Sequence, residues 1–263
     1  MQQTTPYNIS RQKNNNFNHH IHNTATQTMN NLELSLLLLL SFLPPILYTI
    51  WMRNTEKYHR ETWKAIAACF LWGATISVIA ALILEIIFNI PISIRYDQTN
   101  LVSLISVVII APICEELAKP LALRIPLVKK NFEEPEDGFI YGAIAGLGFS
   151  ATENLVYGIG FLQEGMILFV ILMLTRSFGG CILHASATAL TGYGYGQHLL
   201  KHTRLLSVLP YLIFAILLHS IYNLLLSIPN IGTYSGLLLA FSIISITMIL
   251  IRKKIQKLDQ QNQ

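Results

Sequence analysis

Stretches of about 20 mainly apolar residues recur along nearly the whole of this chain, each long enough to cross the ~30 Å hydrocarbon core of a bilayer as a helix. Candidate crossings are 32–52, 64–88, 101–123, 138–161, 166–196, 207–228 and 235–251. Apolar residues make up 52% of the 263 positions and charged residues only 12%, too few for the surface of a soluble enzyme. The net charge of +4 sits in short loops between apolar runs, which excludes a nucleic-acid partner. In lipid, backbone polar groups need internal partners, so the expected fold class is all-α, a polytopic membrane helix bundle.

The number of crossings turns on residues 166–196. As one helix this stretch is roughly 45 Å long, and it could instead be two spans broken at Gly179–Gly180. The lysines and arginines favour one span. With seven crossings, loops 53–64, 124–137 and 197–206 and the C-terminal tail share a side; they hold four, three, two and four Lys/Arg, thirteen in all. The other side holds Arg11, Lys13 and Arg95. This bias predicts an outside N-terminus and a cytoplasmic C-terminus. An eighth crossing would put the basic loop and the tail on opposite sides and weaken the pattern.

Three regions follow: a polar tail over 1–31, a transmembrane helical domain over 32–251 and a basic cytoplasmic tail over 252–263. Residues 1–31 are rich in Asn, Gln, Thr and His and have almost nothing to bury, so they read as disordered, and "HHIH" at 19–22 as part of a solvated tail. No small-residue cleavage site follows a leader, so no cleaved signal peptide is expected. Cys69, Cys114 and Cys181 all lie in apolar runs, too few for a disulfide framework.

Ionisable residues inside such helices cost about 2.5–3.5 kcal/mol each and mark function by default. The spans contain Glu115, Glu116, Lys119, Glu153 and Arg176, with His184 and His219. Glu115 and Lys119 are four apart with the acid first, the favourable order for a helical ion pair. Pro112 and Pro120 flank the acids and remove helical hydrogen bonds on both sides. A buried ion pair would explain one glutamate, but not two adjacent ones.

In 138–161, Gly138, Gly142, Gly146, Ser150 and Asn154 recur every four residues, a small-residue stripe that lets another helix approach closely, with Glu153 beside it. In 166–196, Arg176, Gly180, His184 and Thr188 share one face. In 207–228, His219 and Asn223 lie one turn apart.

Carboxylates with two histidines suit two chemistries. A carboxylate could activate water while the imidazoles and an amide stabilise an oxyanion. Alternatively His184, His219 and Glu153 could hold Zn²⁺ with an open position, another glutamate acting as base. H-E-x-x-H is absent, and Ser186 and Thr188 have no nucleophile-elbow context.

The four polar motifs "CEELAK", "FSATEN", "HASAT" and "HSIYN", in that order on successive apolar segments across roughly 100–228, resemble the PrsW family of intramembrane proteases. That family is related to the CAAX prenyl-endopeptidase and bacteriocin-immunity group. The resemblance implies cleavage of membrane-anchored protein substrates in the bilayer of a prokaryotic cell membrane, and its best-described members trim an anti-sigma factor. Carried over by motif, it implies Glu115 and Glu116 as the essential pair, Glu115 activating water with Lys119 as its partner. Glu153, His184 and His219 complete the implied site, with Asn154 and Asn223 positioning groups or supporting the oxyanion; zinc is the implied cofactor if a metal is used.

Two other classes compete. An ion- or proton-coupled transporter also carries charges in its spans, but its signature is an internal repeat, and none is visible. A non-catalytic protein of the same fold tolerates losing an acid or a histidine, and none is missing here.

Overall fold

Every regular element among the described residues of the computed structural model is helical; these residues are 29–95, 100–227 and 233–261. The helices are α1 (Asn31–Arg53), α2 (Trp63–Trp72) running through a π-helical turn into α3 (Val78–Arg95), and α4 (Asn100–Ile105), which passes through a second π turn, Ser106–Ile110, into α5 (Ala111–Ala118). A 3₁₀ segment, Lys119–Arg124, leads to α6 (Pro126–Lys129), and then come α7 (Asp137–Leu162), α8 (Met166–Leu200), α9 (Leu209–Ser227) and α10 (Thr233–Asp259). The tail over 1–28, including "HHIH", lies outside the described residues.

The chain divides into a unit at Met1–Leu36 and a unit at Leu37–Gln263. In the first, a capping box starts α1: the Glu33 amide donates to Asn30 Oδ1 and the Asn30 amide to Glu33 Oε2, both at 2.9 Å. The second unit holds everything below.

Among the described residues, six segments are long and apolar enough to cross a membrane: Asn31–Arg53, Trp63–Asn89, Leu101–Arg124, Met166–Leu200, Leu205–Ser227 and Tyr234–Asp259. The 26-residue α7 is not among them, because its Gly, Ser, Thr, Glu and Asn dilute its hydrophobicity. Its first half is instead enclosed by protein, with every residue from Asp137 to Ala151 buried, while Val156, Tyr157, Ile159 and Phe161 nearer its end are exposed. The protein is thus an all-α polytopic membrane bundle with the least hydrophobic of its long apolar segments packed inside over that first half.

Glycine explains how α7 is enclosed. A Cβ built at Gly138, Gly142 or Gly146 would fall on the backbone carbonyl oxygen of Gly192, Thr188 or His184, respectively. The paired positions step by four in opposite directions, so the small-residue stripe of α7 and the His184–Thr188 face of α8 lie against each other, antiparallel and at backbone contact. On the far side, a Cβ at Gly148 would meet the Phe70 carbonyl and one at Gly73 the Ala145 carbonyl, which seats α2 equally closely. The fourth stripe position, Ser150, faces Cys181. All three cysteines are free and buried.

The reading of 166–196 as one span holds. The break at Gly179–Gly180 does not occur: α8 is one unbroken 35-residue helix, so 166–196 is a single span. Gly179 instead makes room for Tyr222 of α9 and Phe241 of α10. Beyond its apolar stretch, α10 continues as helix to Asp259. Ile251 and Ile255 keep the helical spacing and remain in the core, the Arg252 guanidinium stacks 3.9 Å from the Trp51 ring, and Asp259 accepts the Lys57 amide at 2.9 Å.

At that end of the bundle the 54–62 loop folds inward and buries Glu56 and Glu61. Burial, with the Asp137 carboxylate nearby, pushes the Glu56 carboxyl up to about 10 and the Glu61 carboxyl up to about 9.

Candidate active site

Two prolines shape the segment that carries the acidic pair. In the π turn each amide reaches five residues back, as Ala111 N–H does to the Ser106 carbonyl. The next amide in that register would serve the Val107 carbonyl, but residue 112 is proline and has none. Asn223 of α9 fills the gap, its Nδ2 donating to the Val107 oxygen at 2.9 Å. After the acids, Pro120 ends regular α-helix and the chain tightens into the 3₁₀ segment that begins at Lys119. The α5 helix is therefore two turns long, with Glu115 and Glu116 in its last turn.

Adjacent helical residues point about 100° apart, and the two acids meet different surroundings. Glu115 is 7% exposed and lines a cavity, whereas Glu116 is 0% exposed. Glu116 accepts from Lys119 Nζ at 2.9 Å and His219 Nδ1 at 3.0 Å on one oxygen, and from Thr188 Oγ1 at 3.1 Å on the other. Lys119 is fully buried and does not choose between the acids. Its ammonium also donates to Glu115 Oε2 at 2.7 Å and to His184 Nδ1 at 2.8 Å, so all three of its hydrogens are used. It stands 4.3 Å from the Phe149 ring centroid, a cation–π contact on the remaining side.

This network sets the tautomers. Lysine can only donate, so His184 Nδ1 is an acceptor and its proton is on Nε2, which donates to Glu153 Oε2 at 2.7 Å. Glu116 can only accept, so His219 carries its proton on Nδ1; its Nε2 has no hydrogen bond among the described residues, and the ring lines the cavity. The two imidazoles are edge to face with centroids 5.1 Å apart. Glu153 is also paired with Arg176 at 2.8 Å, and Arg176 Nε donates to Asn154 Oδ1 at 2.8 Å. All eight residues singled out in the sequence therefore join one network or its immediate frame: Glu115, Glu116, Lys119, Glu153, His184 and His219 at the centre, Asn154 and Asn223 bracing Arg176 and the π turn.

The cavity measures about 570 Å³. Besides Glu115, Glu153, Arg176, His184 and His219, it is lined by Glu85 and Asn89 from α3, Tyr157 from α7 and Tyr222 from α9. The sequence reading did not single out Glu85. The signal was there, an ionisable residue inside an apolar run, and the rule that selected Glu153 selects it equally.

Charge, hydrogen-bond donors, an open imidazole nitrogen and a carboxylate converge on one enclosed volume, which is what hydrolysis of a carbonyl compound needs. Metal binding is a second capability of the same groups. Glu115, Glu116, His184 and His219 each offer a ligand atom within 4.8 Å of the others, while Glu153 sits on the opposite nitrogen of His184, outside that set.

Comparison with known families matches residues 61–251 to the one described as PrsW family intramembrane metalloprotease. Among curated proteins, Protease PrsW of Clostridioides difficile (strain 630) is 29% identical over 196 residues, or 73% of this chain and 79% of that protein. No solved structure matches. The family match takes in well over half of the chain and every member of the network, and on that extent the chain belongs to the PrsW family of intramembrane metalloproteases.

Proposed function

We propose that this intramembrane protease cuts membrane-anchored proteins inside the cavity, with Glu115 as the base that activates water. The observation that carries this reading is the division within the acidic pair: Glu115 faces the cavity, while Glu116 is buried and held by three donors. A water beside Glu115 gives up a proton to the carboxylate as its oxygen attacks the scissile carbonyl, and the carboxyl returns that proton to the leaving amine. Lys119 fixes the orientation of Glu115, and Glu153 fixes the ring of His184. To donate to the oxyanion, His219 takes up a second proton from solvent at Nε2, with Glu116 on Nδ1 as the counter-charge of the imidazolium. Asn154 and Asn223 act as positioning residues, since each amide group is already engaged.

The metal in the family description suits the donor set, since two carboxylates and two imidazoles are ligands zinc accepts. Glu116, His184 and His219 would hold it, which leaves Glu115 free as the base, and Lys119 would have to yield the lone pairs that its ammonium occupies on Glu116 and His184. When bound, the metal supplies Lewis-acid polarisation of the scissile carbonyl.

The test is cleavage of a single-span protein by the purified chain in liposomes, before and after dialysis against a chelator. New termini inside or at the edge of the spanning segment are expected. Loss on chelation with recovery on adding zinc gives the polarising role to the metal, and unchanged activity gives it to His219. No cleavage of any single-span protein in either state overturns the reading. The substrate class we favour is an anti-sigma factor or a similar signalling protein with one membrane anchor.

The thirteen-to-three division of Lys and Arg supports a prokaryotic cell membrane with the N-terminus outside and the C-terminus cytoplasmic. Reporter fusions should place 197–206 and the C-terminus on one side, and opposite sides would overturn this orientation.

A further inference from the structure

A second cluster of buried carboxylates lies far from the cavity. Asp137 begins α7 and Glu153 follows sixteen residues later, about 24 Å along the helix. Glu56, Glu61 and Asp137 each offer a carboxylate oxygen within 4.8 Å of the others. They come from different places: the first two from the loop joining α1 to α2, the third from the first turn of α7.

Their hydrogen bonds are unequal. Asp137 Oδ2 accepts the amides of Glu133 and Glu134 at 2.7 and 2.9 Å, and Glu61 Oε2 accepts the Tyr141 hydroxyl. Glu61 Oε1 and both oxygens of Glu56 are buried with no partner, although Glu56 is only 1% exposed. Among the described residues no lysine, arginine or histidine pairs with any of the three carboxylates; every ion pair belongs to the cavity network. The nearby arginines are engaged elsewhere, Arg60 on the Glu56 backbone carbonyl and Arg252 on Thr55 Oγ1. The acids that surround Glu56 also include Glu136 and Asp259.

Buried carboxylates without a countercharge need protons or a cation. A proton shared between Glu61 and Asp137 would satisfy those two. A proton on Glu56 would leave a buried hydroxyl with nothing to donate to, since neither of its oxygens has a partner. A cation uses both oxygens at once. The donor set is oxygen only, without imidazole or thiolate, which selects hard ions over zinc.

We propose that Glu56, Glu61 and Asp137 bind a hard divalent cation of the Mg²⁺, Ca²⁺ or Mn²⁺ class, clamping the α1–α2 loop to the start of α7. Asp259 holds the same loop through the amides of Lys57 and Tyr58, so the clamp joins the ends of α1, α2, α7 and α10. The site is independent of the cavity chemistry.

The test uses the full-length chain in detergent, freed of metal by a chelator and then given Mg²⁺, Ca²⁺ or Mn²⁺ alone, with the apparent Tm as readout. A saturable rise of about 5–10 °C is expected with at least one of them. Burial keeps the metal-free Glu56 carboxyl protonated, and Glu56→Gln replaces it with an amide of the same size, so the variant should melt close to the metal-free wild type and lose the cation-dependent rise. His219→Ala should retain the rise, which separates this site from any ion in the cavity. If Glu56→Gln does not fold, Glu61→Gln is read in its place. A wild type whose Tm ignores all three cations overturns the proposal, and so does a full rise in the glutamine variant.

Discussion

Glu115→Gln is expected to lower cleavage of a single-span substrate by about 10²–10⁴-fold, the range a positioned general base contributes, with protein level and apparent Tm unchanged. The amide is the same size and still accepts from Lys119, so packing survives while the base is gone. Glu116→Gln should behave differently. Its carboxylate is fully buried between Lys119, His219 and Thr188. Removing one partner of a buried pair costs about 3–5 kcal/mol, on the order of 10 °C in Tm for a chain of this size. That variant should lose activity and stability together. Measuring cleavage and melting on the same purified samples separates the two cases, and full activity in both variants would end the catalytic reading of the pair.

Gly146→Ala should be nearly as damaging, although it adds one carbon. The new Cβ falls on the carbonyl of His184, backbone against backbone, where no side chain can rotate aside. Either α7 and α8 separate or His184 moves. Overpacking of this kind costs about 1–3 kcal/mol, and a displacement near 1 Å at a reacting centre costs about 10²-fold in rate. Gly160→Ala on the same helix is the control, because nothing lies within 4 Å of its Cβ and alanine is the better helix former. Equal activity and Tm in the two variants would show that the close contact does not hold the site.

The parts of this site that were legible in the sequence are those written at helical spacing. Glu115 with Lys119, the stripe from Gly138 to Asn154 and the face from Arg176 to Thr188 are separations of four, and each is a local geometric fact. That this stripe and this face oppose each other was not legible, because nothing in either helix names its partner. The same limit applies to Lys119. Read locally, it needed one acid; in the fold it also reaches Glu116 and, 65 positions away, His184. The asparagine on Val107 is legible only once the π turn is known, since an ordinary helix leaves a different carbonyl orphaned. The burial of the loop acids Glu56 and Glu61 was not legible either, because loops generally run at the surface. It becomes visible only in the fold, where α10 runs past its apolar stretch and Asp259 holds that loop through the amides of Lys57 and Tyr58.

The enclosure of α7 also bears on how the protein is made. A helix that falls short of the hydrophobicity of its neighbours gains little from meeting lipid alone, and this one would bring Glu153 and Asn154 with it. Its close partner α8 follows after only the turn at Gln163–Gly165, where Gly165 takes a φ of +113°. The economical route is for the two to leave the insertion machinery as a hairpin, small faces already joined, against an α2 that was synthesised earlier. On that route α7 would stay sheltered until the 35 residues of α8 have been translated.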